Sequence, residues 1–181
     1  MSAMKEQILA AATPVLARDR GASMQVIAQA AGVSRTTLTR LFPTRETLMT
    51  ALSEQVYAAA SAALDAAELG DTPFETALTA LTTRFLPLAQ FWGVLSVEPH
   101  LLRQPEYTTR ADDLIHRLDE FFARGQRAGI LRAELPPRWL SFTLFGLSET
   151  AWYLVLDEQM GARQAPEFLV SMMLSGAGKT R

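Results

Sequence analysis

The stretch Ile27–Phe42, with the sequence IAQAAGVSRTTLTRLF, decides the fold of the N-terminal part of the chain. Two short helical segments flank Gly32, a residue that adopts the left-handed conformation needed after the first of them. Ser34 is placed to cap the second segment, and the small Ala28 and Ala31 allow the two helices to approach closely. The stretch therefore predicts a helix-turn-helix.

The second helix of this motif has one apolar and one polar face. The i, i+3, i+4 rule directs Leu38, Leu41 and Phe42 inward. The outward positions carry polar or cationic side chains: Arg35, Thr36, Thr37, Thr39 and Arg40. Such a helix fits the DNA major groove, where arginine reads guanine and threonine meets a thymine methyl or a phosphate. From the residues alone, the alternative is an alanine-rich helical hairpin with a solvated polar face.

The charge of the chain is unevenly distributed. The formal net charge of the 181 residues is −2. Residues 1–50 carry six basic and three acidic side chains, a net +3, whereas residues 51–181 carry 11 basic and 16 acidic ones, a net −5. The chain is therefore acidic overall but has a basic N-terminal segment, as expected if that segment binds a polyanion.

The rest of the chain also has the signals of helix starts and ends. Apolar residues recur at helical spacing from Ile8 to Leu16, and Thr44 is placed to cap a long helix. The stretch Thr72–Glu75 has the form of a capping box, and Pro87 and Pro99 predict interruptions between shorter helices. Because no run of alternating β-branched residues indicates a strand, we expect an all-α fold.

The composition argues against several classes of protein. The chain has no cysteine and only two histidines, which excludes disulfides, thiolate catalysis and cysteine-bearing zinc sites. The N-terminal MSAMKEQILA does not have the form of a signal peptide, and no apolar run reaches the ~18 residues of a membrane span. With no recognisable catalytic triad or phosphate-binding loop, we expect a cytoplasmic protein that is not an enzyme and needs no cofactor or membrane.

One acidic stripe has a spacing that is compatible with a metal site. Asp112, His116 and Glu120 recur at i, i+4, i+8. The apolar stripe of the same helix passes through Leu114 and Leu118, so a solvated polar face is the simpler interpretation. We therefore predict no metal.

Five motifs follow one another in the first 50 residues: Ile8–Ala12 (ILAAA), Ser23–Ala28 (SMQVIA), Ala31–Ser34 (AGVS), Leu38–Phe42 (LTRLF) and Arg45–Leu48 (RETL). Their order and placement resemble the N-terminal DNA-binding domain of the tetracycline-repressor (TetR) family of bacterial transcription regulators. The resemblance implies a helix-turn-helix domain over residues 1–50 and a helical effector-binding and dimerisation domain over residues 51–181. It also implies a set of DNA contacts: Ser23, Ser34, Arg35, Thr36, Thr37, Thr39, Arg40, Thr44 and Arg45.

The function implied by the resemblance is that of a ligand-responsive regulator of transcription. A repressor of this kind binds a pseudo-palindromic operator in double-stranded DNA as a homodimer and is released by a small apolar or aromatic effector. Thr39 replaces the tyrosine usual in the family, Arg45 replaces a lysine and keeps a charge for a phosphate, and the loop Gly21–Ser23 is short. Thr39 and the loop support an alternative, a helical small-molecule-binding protein that has lost specific DNA binding.

Aromatic residues are concentrated in the C-terminal part of the chain. They either fill its core or line an apolar effector pocket. If they line a pocket, the predicted effector contacts are Tyr57, Phe85, Trp92, His100, Ile115, Leu118, Phe122, Phe145 and Trp152.

The predicted helix 137–159 is apolar on two faces, so both faces must be buried. One face carries leucines such as Leu140 and Leu144, and the other centres on Gly146. In the resembled family the last two helices form the four-helix bundle of a dimer. The predicted dimer seam therefore comprises Phe142, Gly146, Glu149, Tyr153, Phe168 and Met172. The alternative is a central core helix of a monomer.

Overall fold

A computed structural model describes residues 3–67, 72–95 and 98–177. Within these ranges the structure contains helices and no strand, which confirms the all-α prediction. The helices are α1 (Ala3–Arg18), α2 (Met24–Ala30), α3 (Arg35–Leu41), α4 (Arg45–Ala66), α5 (Phe74–Phe85), a 3-10 turn (Leu86–Leu88), α6 (Ala89–Leu95), α7 (Pro99–Leu102), α8 (Pro105–Arg127), α9 (Pro137–Leu156) and α10 (Ala165–Ala177). In the described part of the chain, none of these helices has the length and apolarity to cross a membrane.

The chain divides into two compact units. The first comprises Met1–Val56 and Gln90–Thr108, and the second comprises Tyr57–Ala89 and Thr109–Arg181. The division falls within α4 rather than between residues 50 and 51. The segment that contains α6 and α7 also packs with the N-terminal helices, which the sequence-based division into 1–50 and 51–181 does not anticipate.

The helix-turn-helix lies in the first unit and is built around an apolar core that is shielded from solvent. Ile8, Leu9, Ile27 and Leu38 each have 0% of their surface exposed. Burial of one such side chain contributes about 1.5–3 kcal/mol, so these four side chains contribute substantially to the stability of the three-helix arrangement.

The turn between α2 and α3 has the predicted geometry. Gly32 has φ +66°, and the Val33 amide donates to the carbonyl of Ala28 at 3.0 Å. Ser34 Oγ accepts from the amide of Thr37 at 3.0 Å and caps α3. Ser23 Oγ accepts from Val26 at 3.4 Å and caps α2. These local hydrogen bonds fix the direction in which α3 leaves the turn.

The start of α4 is capped as expected, but the start of α5 is not. Thr44 Oγ1 accepts from the amide of Thr47, and Thr47 Oγ1 accepts from the amide of Thr44, each at 3.2 Å. At α5, the predicted capping box is wrong, because the N-cap residue is Pro73 and not Thr72, and Pro73 makes no side-chain cap hydrogen bond. Arg124 donates to the carbonyl of Thr72 at 2.9 Å, a contact across 52 residues that holds Thr72 outside the helix.

The second unit packs α5, the 3-10 turn, α9 and α10 against one another. Leu86, Ala151, Ala165 and Leu169 form an apolar cluster in which each residue is at most 8% exposed. A second aromatic group stacks Phe74 on Phe121 with ring centroids 4.7 Å apart. The first cluster buries the part of α9 around Ala151 inside its own unit.

Candidate functional site

The outward face of α3 presents cationic side chains to solvent. Arg35, Thr36 and Arg40 are exposed, and Thr37 is half-buried. Within the described ranges, the guanidinium groups of Arg35 and Arg40 take part in no hydrogen bond or ion pair. Both guanidinium groups therefore remain available to a phosphate or a base edge, as expected of a recognition helix.

The hydroxyl groups around α3 are mostly engaged within the motif itself. Ser34 Oγ lies 2.9 Å from Thr37 Oγ1 in addition to capping the helix. Thr39 Oγ1 donates to the carbonyl of Arg35 at 3.0 Å and lies 3.3 Å from that of Thr36. Because a phosphate oxygen only accepts hydrogen bonds, Thr39 must give up this helical bond before it donates to DNA. Thr44 and Ser23 are exposed, but both act as helix caps.

Arg45 is directed at its own protein rather than at solvent. Its Nη1 donates to the carbonyl of Ala22 at 2.9 Å, and its Nη2 donates to the carbonyl of Arg20 at 2.5 Å. Nη2 also lies 3.2 Å from Glu98 Oε1. Two carbonyls and a carboxylate satisfy the charge of the guanidinium, so this geometry does not favour the phosphate contact expected at Arg45. Arg45 instead holds the α1–α2 loop.

Glu98 begins a short segment that lies along the first turns of α4. His100 Nδ1 is 3.6 Å from Glu46 Oε2, and Gln104 donates to Thr50 Oγ1 at 3.3 Å. His100 also contacts Gln104 through its Nε2. A cleft of about 410 Å³ lies beside this segment in the first unit, where α3 ends and α4 begins.

The nine predicted effector residues do not all lie in one unit. Trp92 and His100 belong to the first unit, with α6 and α7. The other seven lie in the second unit: Tyr57, Phe85, Ile115, Leu118, Phe122, Phe145 and Trp152. Eight of the nine are aromatic or apolar and His100 is polar, but residues 90–108 pack with the N-terminal helices, so Trp92 and His100 belong to a different unit from the other seven.

Burial distinguishes two groups among the seven. Phe85, Leu118 and Phe122 are 0% exposed and act as core residues. The other four, Tyr57, Ile115, Phe145 and Trp152, are half-buried. Phe145 lies beside Phe85 with ring centroids 6.0 Å apart. The half-buried group is therefore the better candidate for a surface that a ligand can reach.

The acidic stripe on α8 is solvated. Asp112, His116 and Glu120 are all exposed. In the part of the chain that the structure describes, no group of three histidine or carboxylate side chains is positioned to hold a metal ion.

The predicted dimer seam forms an exposed apolar face on α9 and α10. Phe142, Tyr153, Phe168 and Met172 are between 40% and 58% exposed, which is unusual for side chains of this kind. Gly146 is exposed, and a Cβ added to it would meet no atom within 4 Å. Glu149 is half-buried. Exposed apolar side chains of this size are typical of interaction surfaces.

Sequence reasoning missed one member of this face. Trp139 is 63% exposed and lies one turn before Phe142 on α9. The i, i+3 spacing of Trp139 and Phe142 places both side chains on the same side of a helix, which is the sequence feature that predicts Trp139 as part of this face. On the opposite side, Leu140, Leu144 and Ala151 are at most 5% exposed, so the leucine face is already buried.

The chain has clear relatives of known function, although no protein-family model matches it. It is 30% identical over 172 residues to the HTH-type transcriptional repressor LfrR of Mycolicibacterium smegmatis, an alignment that covers 95% of this chain and 89% of LfrR. The crystal structure of the TetR-like transcriptional regulator LfrR from Mycobacterium smegmatis in complex with proflavine superposes with a TM-score of 0.76 at 28% identity, covering 98% of this chain and 99% of that one. The ketosteroid transcriptional regulator KstR2 of Mycobacterium tuberculosis shares the fold, with a TM-score of 0.74 at 16% identity over 99% of this chain and 97% of its own.

Proposed function

The chain belongs to the TetR family of DNA-binding transcriptional regulators, and on that premise we propose that it is a dimeric repressor whose α3 reads a pseudo-palindromic operator and whose second unit binds a planar aromatic effector. In this proposal residues 1–50 are the DNA-binding domain and residues 51–181 the effector and dimerisation domain. The protein acts in the cytoplasm and catalyses no reaction.

The observation that carries the DNA-binding part is the pair of free cations on α3. Arg35 and Arg40 are exposed, and Ser34 and Gly32 set the direction of the helix that carries them. A rigid helix with accessible guanidinium groups satisfies the two requirements of major-groove recognition, which are shape and donors for guanine. Ser34, Thr37 and Thr39 support that face mainly through hydrogen bonds within the motif, whereas Thr36 is exposed beside the two arginines.

The exposed face of α9 and α10 supports the dimer. A single short recognition helix reads too few bases to select one site, and two-fold protein symmetry places a second helix on a second half-site. Phe142, Tyr153, Phe168 and Met172 would lie at the centre of the seam, with Gly146 allowing close approach of the partner helix.

The effector class follows from the relative and from the half-buried aromatic residues. LfrR crystallises with proflavine, a planar diaminoacridine. In the second unit, Phe145 and Trp152 are flat side chains that remain partly accessible, and Tyr57 and Ile115 are half-buried as well. Planar aromatic ligands stack on such side chains with favourable geometry. Binding would act on α4, the helix within which the division between the units falls.

A second candidate function rests on the hydrogen bonds of Thr39 and Arg45. Both side chains are engaged by their own protein, and each stands at a position where the family pattern places a phosphate contact. A helical protein that binds small molecules but no specific DNA sequence would also have these features.

Selection of bound sequences from a random duplex pool distinguishes the two candidates. We expect enrichment of a two-fold symmetric site, with half-sites about one helical turn apart or a multiple of it. The same protein is titrated with proflavine in the absence of DNA. Enrichment without proflavine binding would reject the effector class alone, whereas proflavine binding without enrichment would favour the second candidate.

A further inference from the structure

One buried hydroxyl in the second unit has no hydrogen-bond partner in the part of the chain that the structure describes. Ser148 is 0% exposed, and among the described residues its Oγ finds neither a donor nor an acceptor. Buried polar groups in native proteins are almost always satisfied, so an exception calls for an explanation such as a bound water or ligand. Ser148 lies in the middle of α9, on its buried side.

The other serine and threonine hydroxyl groups of the same helix are all satisfied. Thr143 donates to the carbonyl of Trp139 at 2.7 Å, and Thr150 donates to that of Gly146 at 2.9 Å. Ser141, which is also 0% exposed, donates to the Asp119 carboxylate at 2.6 Å. Ser148 therefore differs from its neighbours in environment and not in residue type.

The surroundings of Ser148 on α9 are apolar and aromatic. Leu144 precedes it by one turn and is fully buried, and Ala151 follows it in the cluster with Leu86. Phe145 and Trp152, three residues before and four residues after Ser148, are half-buried. The spacing along α9 places the hydroxyl on the same side of the helix as these two half-buried rings, a suitable arrangement for a ligand with one polar group.

We propose that Ser148 Oγ is the hydrogen-bond anchor of the effector site and accepts a hydrogen bond from an amino group on a planar aromatic ligand. This inference rests on the proposed effector function and specifies the chemistry of that site. The ligand ring displaces Phe145 and Trp152 from their resting positions and lies against them. An aminoaromatic ligand satisfies Ser148, whereas the same ring without the amino group leaves it unsatisfied, so Ser148 sets specificity.

The test pairs two variants with two probes. Ser148→Ala removes the unsatisfied hydroxyl, and Ser141→Ala is the matched control because it removes a satisfied hydroxyl from the same face. Proflavine and acridine share the ring system and differ in the two amino groups. Affinities are measured by calorimetry on the protein alone, since planar cations of this kind also intercalate into DNA.

We expect Ser148 to contribute about tenfold to the preference of the wild type for proflavine over acridine, the worth of one hydrogen bond. Ser148→Ala loses that discrimination, while Ser141→Ala retains it. Thermal melting gives a second readout, because the two variants should affect the Tm differently. Ser148→Ala leaves the Tm unchanged or higher, and Ser141→Ala lowers it because Asp119 loses a partner.

Each other outcome counts against the inference. Equal discrimination by the wild type and Ser148→Ala overturns the assignment of Ser148 and leaves the proposed effector function standing. If the wild type binds neither probe, the effector class and this inference both fail. If Ser148→Ala does not fold, Ser148→Cys replaces it, because sulfur fills similar space but is a weak acceptor. Full discrimination in that variant overturns the inference.

Discussion

Arg45 Nη2 lies 3.2 Å from Glu98 Oε1, an ion pair between the first residue of α4 and the residue that precedes α7. The side chains are 31% and 19% exposed, so the pair is largely shielded from solvent. The same guanidinium donates to the carbonyls of Arg20 and Ala22. One side chain therefore holds three segments of the first unit together, including the loop that precedes α2.

We expect Arg45→Ala to lower the free energy of unfolding by about 2 kcal/mol, because hydrogen bonds to a charged group contribute about 1.5–3 kcal/mol. Arg45→Lys should recover only part of this loss, since an ammonium group does not reproduce the planar fork of donors. Urea unfolding of the three proteins measures both effects. A lysine variant as stable as the wild type would contradict the bridging role.

The salt dependence of DNA binding separates a structural Arg45 from a phosphate contact. Loss of one phosphate contact reduces the slope of log affinity against log salt by about one unit. We expect Arg45→Ala to weaken operator binding with an unchanged slope, because the guanidinium is already held by Glu98. A slope reduced by one unit would restore the phosphate contact that the sequence predicts.

Arg35→Ala should relax the preference at one base pair of each half-site. A bidentate arginine–guanine contact is worth about 1–3 kcal/mol of discrimination, and Arg35 is exposed at the first residue of α3. Selection from random DNA compares this variant with Arg163→Ala, which removes an exposed arginine from the second unit. If both variants select the wild-type site, α3 does not read bases through Arg35.

If the protein is the proposed dimer, Gly146→Glu should convert it into a monomer at micromolar concentration. The new carboxylate would be buried without a partner in the apolar seam formed with Phe142 and Tyr153. Sedimentation of the variant, with helicity checked by circular dichroism, provides the measurement. A folded variant that remains dimeric would place the seam elsewhere.

Alanine should have opposite effects at two helical glycines. A Cβ on Gly125 would lie 2.6 Å from a ring carbon of Phe74. A Cβ on Gly146 would have no described atom of the same protomer within 4 Å. Overpacking costs about 1–3 kcal/mol, while replacing a helical glycine by alanine gains about 1 kcal/mol. We therefore expect Gly125→Ala to lower the Tm. Gly146→Ala should not lower the stability of the isolated protomer, measured at a concentration below that of dimer formation.

Effector and operator should weaken each other by the same factor. Binding linkage is reciprocal, so saturating operator reduces effector affinity as much as saturating effector reduces operator affinity. Calorimetric titration of proflavine is performed with the operator duplex and with a scrambled duplex of the same composition, which corrects for intercalation. If the affinity of proflavine for the protein is the same in the two titrations, proflavine does not act as the inducer.

The sequence by itself determined the helix-turn-helix, because each of its parts depends on neighbours within about one turn. Gly32 allows the left-handed turn, Ser34 and Ser23 reach amides three residues ahead, and the spacing of Leu38 fixes which face is buried. Local hydrogen bonds and helical periodicity suffice for these predictions.

The sequence also showed that the helix after Pro137 has two apolar faces, but burial decided between them. The leucine face is buried, in part by packing around Ala151 against α10 and the 3-10 turn, whereas the face with Phe142 and Tyr153 is exposed. Periodicity specifies the faces of a helix and not the element that covers each of them.

Only the tertiary structure decided the roles that depend on residues far apart in the chain. Arg45 matched a local family motif, yet its partners Ala22 and Glu98 are 23 and 53 residues away and direct it inward. Thr72 matched a capping box, yet Arg124 holds its carbonyl across 52 residues. A motif records only nearby residues, whereas a charged or polar side chain takes the strongest partners that packing brings within reach.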